Sequence, residues 1–494
     1  MDRSRAASAL RRLQRSTTTP MEDDYRALSM PLVDNEAGGP APRSVVSDMS
    51  NWMGGMGGQL KGRTRSSRRT QGMSHVNSSE AEEGLSTLRE VPQNAVQQPS
   101  TWLGQSAAAD EIEIPGLFAP LQDIVTMKDM ICGSYINLLL VFVPLGFVVN
   151  YMQMNAVVIF FTNFAGLVPL ALILGDCTED LAVRFGDIIG GLLNATFGNV
   201  VEMILSVAAL QKELYYVVAT SLMGSVLSNL LLVLGCCFFF GGMYYKVQRF
   251  NTTVGKAGNS LLMLVCIGII MPTLLVTINP DAKDLALPLS RIIAVMLACV
   301  YLVYLYFQLF SHSAIINEKV KVDSDGAFEE EDEEEEVPSL SVSGGFGLLL
   351  LITVVVAFMS EFLTGSIEKV SEQVPWLNQG FLGMIVLPIA GNACEHITAV
   401  LVAMRNKMDL SIGVAVGSSV QIALFVIPFM VLAGWAMDKP FTLEFDLFAV
   451  IMLTLSVILA SFVTYDGASN YLLGVQLICV YLLLTVAYLL GAAK

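Results

Sequence analysis

The sequence predicts an all-α polytopic membrane protein with eleven transmembrane helices, one leading helix followed by two inverted five-helix repeats. Three observations carry this expectation. The 494 residues are 54% hydrophobic with a mean hydropathy of +0.61, and the apolar residues fall in blocks close to the ~20 residues that a helix needs to cross a bilayer. A short polar stretch occurs twice inside these blocks, Gly198-Asn199-Val200-Val201-Glu202 and Gly391-Asn392-Ala393-Cys394-Glu395. The offset 395 − 202 = 193 also carries Gly224-Ser225 onto Gly417-Ser418 without a gap, which marks an internal duplication. Five spans per copy is an odd number, so the two copies must lie in opposite orientations, the arrangement in which transporters place substrate at the midplane.

Taken in order, residues 1 to about 115 are rich in Ser, Arg, Gly and Gln without a sustained apolar period, and they read as a disordered tail with a regulatory role open to it. Residues 116–152 supply an amphipathic lead-in and the first span, Ser134 to Met152. The N-terminal repeat, 153–312, holds spans Ala156 to Leu174, Leu193 to Leu210, Tyr215 to Gly241, Gly258 to Ile278 and Ala286 to Phe310. Between the second and third spans, Gly175 to Ala182 and Gly186 to Phe197 read as an amphipathic, glycine-rich lead-in to the first motif.

An acidic linker, 313–343, follows; its core Asp323 to Glu336 has ten carboxylates and no Lys or Arg, and its spacing does not fit an EF-hand. The C-terminal repeat, 344–494, holds spans Gly344 to Ile367, Gly380 to Ala403, Leu410 to Gly434, Phe445 to Thr464 and Asn470 to Ala492. Basic residues near the short loops, Arg184, Lys246, Arg249, Lys256, Arg405 and Lys407, share a side with the tail and place the N-terminus in the cytosol.

A carboxylate inside a span costs about 2.5 to 3.5 kcal/mol on insertion scales, so such a residue faces a polar cavity and marks an ion or proton path. Glu202 and Glu395 stand at equivalent places and point to one shared site. On a helix Asn199 shares a face with Glu202, and Asn392 with Glu395. Ser225, Ser228 and Asn229 share a face in the next span, as do Ser418 and Gln421.

Carboxylates, amides and hydroxyls are the oxygen ligands that calcium takes in sets of about 6 to 8. Two carboxylates balance one divalent cation. Once the cation leaves, like-charge repulsion and desolvation favour protons in its place, so the empty ionised site is too costly to occlude and exchange becomes obligatory. His396, beside Glu395 and without a counterpart at Met203, is positioned to tune proton coupling or to pack. Glu179 and Glu361 form a second acidic tier along the path or sit at the headgroup boundary; both readings stand.

The eight cysteines form no CxxC pair, and no HExxH, P-loop or Rossmann pattern occurs, which argues against a zinc protease, an ATP-driven pump or a dinucleotide enzyme. No cofactor is expected, Ca2+ being cargo. The expected partners are Ca2+, H+ and the bilayer, with no nucleic acid; a homo-oligomer and regulators of the tail are compatible with the sequence.

The motifs resemble the cation/proton exchanger family of the calcium/cation antiporter superfamily. The resemblance rests on SYINLLLVFVP from Ser134, TEDLA from Thr178, GGLLNATFGNVVEMI from Gly190, GSVLSNLLLVLG from Gly224, SEFLTGSIE from Ser360, GNACEHI from Gly391 and GSSVQIALFVIP from Gly417. It implies the same eleven-helix fold, an acidic pair at Glu202 and Glu395, and hydroxyl and amide positions at Ser225, Ser228, Ser418 and Gln421. It also implies calcium loading of vacuoles or related acidic compartments by proton exchange, with Mn2+ or other divalent ions accepted by some members. A Na+/Ca2+ exchanger and, more distantly, a cation channel are the competing readings.

Overall fold

A computed structural model describes residues 120–312 and 338–491. The expected tail, 1–115, and the acidic core of the linker, 323–336, lie outside the described residues. A short amphipathic helix α1 (Pro120–Cys132) meets α2 (Tyr135–Tyr151) at a bend of 96°. The spans of the first half are α3 (Ala156–Gly186), α4 (Ile188–Gln211), α5 (Tyr215–Tyr244), α6 (Thr252–Ile278) and α7 (Pro280–Ser311). The second half holds α8 (Val342–Gln373), the pair α9 (Gln379–Gly391) and α10 (Ala393–Met404), then α11 (Met408–Ala436), α12 (Leu447–Thr464) and α13 (Tyr471–Leu489). Among the described residues nine helices are long and apolar enough to cross a membrane, and eleven spans result when each of two bent pairs counts as one.

The second and third spans differ from the expectation. Helix α3 does not end at Leu174 but runs 31 residues to Gly186. At about 1.5 Å per residue that is about 46 Å, longer than a hydrocarbon core of about 30 Å. The surplus turns carry Asp176, Glu179, Asp180 and Arg184 at the end on the same side as α1. Gly186, at φ 74° and ψ 177°, takes a conformation open to glycine alone, and the chain reverses there. Gly186 to Phe197 is therefore not a lead-in; from Ile188 it is the first half of the span that carries the motif.

The largest apolar cluster joins α5, α6, α7, α11, α12 and α13, and a second joins α3, α4, α8 and α9. Helix α5 is central, with 83% of its most apolar stretch buried against 22% for the peripheral α7. A two-residue antiparallel ladder, β1 (Gln248–Arg249) with β2 (Ala468–Ser469), ties the α5–α6 connection to the α12–α13 connection. On the same side the start of the second half is clamped to the first. Asp123 accepts from the Ser341 amide at 2.7 Å and its hydroxyl at 2.6 Å, and Asp180 accepts from the Ser339 amide and hydroxyl, each at 2.6 Å. Arg184 donates to the Leu340 carbonyl.

Candidate functional site

Both copies of the motif fall on a helix break, and the expected span over Gly380 to Ala403 corresponds to the bent pair α9 and α10. Asn199, at φ −102° and ψ 10°, and Asn392, at φ −107° and ψ 21°, leave helical geometry in the same way. Each still accepts through its carbonyl from the residue four on, Met203 and His396, both at 3.0 Å. The bend between α9 and α10 is 63°. Glu202 and Glu395 consequently sit in the first turn of a half-helix. The partial positive charge at such an N-terminus favours a carboxylate or a bound anion partner there.

The halves interlock at this point. A methyl placed on Gly391 would lie 3.8 Å from Cβ of Glu202, and one on Gly198 would lie 3.8 Å from a carboxylate oxygen of Glu395. Each motif glycine thus lies beside the glutamate of the other half, at ordinary van der Waals distance. Asn199 donates to the Gln421 side-chain oxygen at 2.8 Å, a second tie across the duplication. Ser225, which lies beside Glu202, is 1% exposed, Ser228 is fully buried, and Ser418 is 9% exposed. The Ser228 hydroxyl donates to the Ser225 carbonyl at 3.0 Å. π-Helical turns follow in both halves, Ser228–Val233 and Ile422–Val426; such turns recur at functional sites because they rotate the helix face that precedes them.

What distinguishes this region is a concentration of buried oxygens with no protein donor. Both carboxylate oxygens of Glu202, one of Glu395, and the side-chain oxygens of Asn199, Asn229 and Asn392 are in that condition. His396 Nε2 is buried without a partner as well. A buried polar group left unmet costs about 1 to 3 kcal/mol, and more if charged. A cluster of them is tolerated where a cation, a proton or water is the intended partner.

The sequence-predicted second tier is not drawn into this cluster as a pair. Glu361 is exposed and faces Lys212 at 3.9 Å. Glu179 is exposed on α3, close enough to act electrostatically on Cys394, next to Glu395. Asp176, one turn before Glu179, acts on the same thiol and was not singled out from the sequence. Ser206 was also missed, although it stands four residues after Glu202 and so shares its helix face; it is 2% exposed and its hydroxyl has no partner.

The sequence model of the sodium/calcium exchanger protein family matches residues 155–310 and 344–490. The chain is 38% identical over 372 residues to a vacuolar calcium ion transporter of Schizosaccharomyces pombe, covering 74% of this chain and 88% of that protein. It is 40% identical over 354 residues to a Ca2+/H+ antiporter of Aphanothece halophytica, covering 71% and 95%. Among solved structures, native YfkE superposes with a TM-score of 0.62 at 32% identity, covering 72% of this chain and all of that one. With the duplicated acidic motif, the interlocked half-helices and these matches in hand, the chain belongs to the sodium/calcium exchanger protein family, in its cation/proton exchanger group.

Proposed function

We propose that this protein exchanges Ca2+ for H+ across the membrane of an acidic compartment such as a vacuole, with the N-terminal tail in the cytosol and Ca2+ moving from the cytosol to the lumen. The observation that carries the proposal is the pair Glu202 and Glu395, each seated against the other half's glycine and together leaving three carboxylate oxygens buried without a protein donor. The names of the relatives support the same reading.

In this mechanism Glu202 and Glu395 carry either one Ca2+ or protons. Two negative charges neutralise the cation, and Asn199, Asn392, Ser225, Ser228, Ser418 and Gln421 contribute neutral oxygens toward the roughly 6 to 8 that calcium takes. Mn2+ and other divalent ions compete for the same oxygens. Loss of the cation leaves two carboxylates in a medium where an isolated charge costs many kcal/mol. Protonation removes that cost, so only loaded forms cross between the two faces. His396 lies beside the pair and tunes proton binding. Asp176 and Glu179, at the tail-side end of α3, collect cations on the approach to Cys394 and Glu395.

The two halves are not packed alike, and from this we infer which face is open. Gly224 of α5 touches the Met384 backbone of α9, whereas its counterpart Gly417 of α11 has nothing within 4 Å of where a methyl would stand. Closure around α5 and α9, with space around α11, describes a form open toward the tail side.

Sealed vesicles with an acidic interior test the proposal. Calcium uptake should follow the pH difference and stop when an ionophore collapses it. Uptake that survives collapse but needs an opposing sodium gradient would reject proton coupling. Glu202→Gln and Glu395→Gln should each abolish uptake in protein that still purifies as a monodisperse fold; normal uptake in either removes that residue from the site.

A further inference from the structure

A hydroxyl buried inside a helix ordinarily folds back on the turn before its own. Here Thr178 donates to the Leu174 carbonyl at 2.7 Å, Ser290 to Ala286 at 2.7 Å, Ser419 to Ala415 at 2.9 Å and Thr464 to Ala460 at 2.8 Å. Such a bond satisfies the group and takes its proton out of use. Among the described residues two serines within the spans, Ser206 of α4 and Ser360 of α8, keep a buried hydroxyl with no partner. Ser360 shares its helix face with Val356, Ala357, Leu363 and Thr364, none of them charged.

Ser206 stands differently, four residues after Glu202 and on the same face. Side chains at that spacing have their Cβ atoms about 5 to 6 Å apart. Because each Cα–Cβ bond tilts toward the helix N-terminus, the Ser206 side chain leans toward the turn that holds Glu202. Ser206 is 2% exposed and Glu202 4%, and both carboxylate oxygens of Glu202 lack a protein donor as well. A carboxylate and a hydroxyl, all of their side-chain oxygens unmet, therefore lie along one face of one helix. A calcium ion about 2.5 Å from each of two oxygens bridges up to about 5 Å between them, which matches this spacing.

The duplication is broken at this point. The offset of 193 that carries Glu202 onto Glu395 carries Ser206 onto Ala399, which is fully buried and whose carbonyl is taken by the Ser411 hydroxyl. On α5, Ser221 lies one turn before Ser225, and its hydroxyl is occupied by the Val218 carbonyl at 3.0 Å. The free hydroxyl is thus added on the Glu202 side alone.

We propose that Ser206 is a specificity-determining residue of the exchange site: its hydroxyl gives a further oxygen to the cation held by Glu202 and so favours Ca2+ over smaller divalent ions. Calcium takes about 6 to 8 oxygens in flexible arrangements. An ion that prefers an octahedral set, such as Mn2+, is complete with about six. The hydroxyl is neutral, so it adds a ligand without upsetting the balance of two carboxylates against one divalent cation. The inference rests on the exchange reading and deepens it by naming the cargo that the site prefers.

Thermal unfolding of the full-length protein in detergent, titrated with Ca2+ and separately with Mn2+, tests this assignment, since an ion that binds only the folded form raises the melting temperature according to its affinity. Without ions Ser206→Ala should melt no lower than the parent, because it deletes a hydroxyl that nothing satisfies. The Ca2+ concentration that gives a fixed rise in melting temperature should climb about tenfold, near the worth of one polar contact to a charged centre, while the Mn2+ titration stays where it was. Titrations that shift together, a Ca2+ titration that does not move, or a lower melting temperature without ions would each overturn the inference. Ser206→Cys gives a second reading, because sulfur is a poor ligand for a hard cation. Calcium weakened with manganese kept supports the assignment; both kept removes it. A parent protein that shows neither calcium-dependent stabilisation nor pH-driven uptake into sealed vesicles would instead sink the exchange reading itself.

Discussion

Gly224 and Gly417 occupy the same position in the duplicated sequence, yet alanine should have opposite effects at the two. At Gly224 the added methyl would stand 2.2 Å from the Met384 carbonyl oxygen, 2.7 Å from its carbon and 2.8 Å from its Cα. These are backbone atoms of α9, so no side chain can swing aside. Relief to the 3.0 Å that real contacts respect requires 3.0 − 2.2 = 0.8 Å of separation between α5 and α9. Over-packing of this kind costs about 1 to 3 kcal/mol, and the upper part of that range applies because whole helices must part. At Gly417 no atom lies within 4 Å, which leaves only alanine's better helix propensity, worth up to about 1 kcal/mol. The assay is thermal unfolding of the two purified variants in one detergent. Gly224→Ala should melt several degrees below the parent, and Gly417→Ala at or slightly above it. Equal shifts, or the larger loss at Gly417, would refute both the packing argument and the assignment of the open face.

Two further outcomes follow from particular contacts. Asn199→Ala and Gln421→Ala each remove the 2.8 Å bond that joins the halves; each should weaken calcium affinity about tenfold, near the worth of one hydrogen bond, and the double variant should cost less than the sum in a mutant cycle on uptake. The Lys439 ammonium holds the Glu213 carboxyl below its ordinary value of 4.5, and Glu213 raises Lys439 above 10.5. For the depressed carboxylate the stabilising effect is present above 4.5 and is lost as pH falls through the lowered value; for the raised lysine it is present below 10.5 and is lost as pH climbs through the higher one. Amide-exchange protection of the loop at 437–446 should therefore stay constant from about pH 8 to about pH 5 and fall only in stronger acid; a loss between about pH 6 and about pH 5 would show that the pair does not hold the loop.

Hydropathy blocks and the 193-residue offset were enough to expose an all-helical membrane protein built twice, and the price of a carboxylate in a span was enough to single out Glu202 and Glu395. Those inferences depend on composition along one strand of chain, which a sequence displays directly. The break at Asn199 and Asn392 was not legible, because the residues around each motif have the same apolar character before and after the bend. Nor was the length of α3: Asp176, Glu179 and Asp180 look like the end of a span, whereas the helix continues through them until Gly186 permits a reversal. The contact of each motif glycine with the glutamate of the opposite half, and the unlike surroundings of Gly224 and Gly417, belong wholly to the tertiary structure. Identical residues at equivalent positions meet different neighbours because α9 packs directly on α5 at Gly224 while nothing stands within 4 Å of a methyl at Gly417, and no periodicity within the chain records that difference.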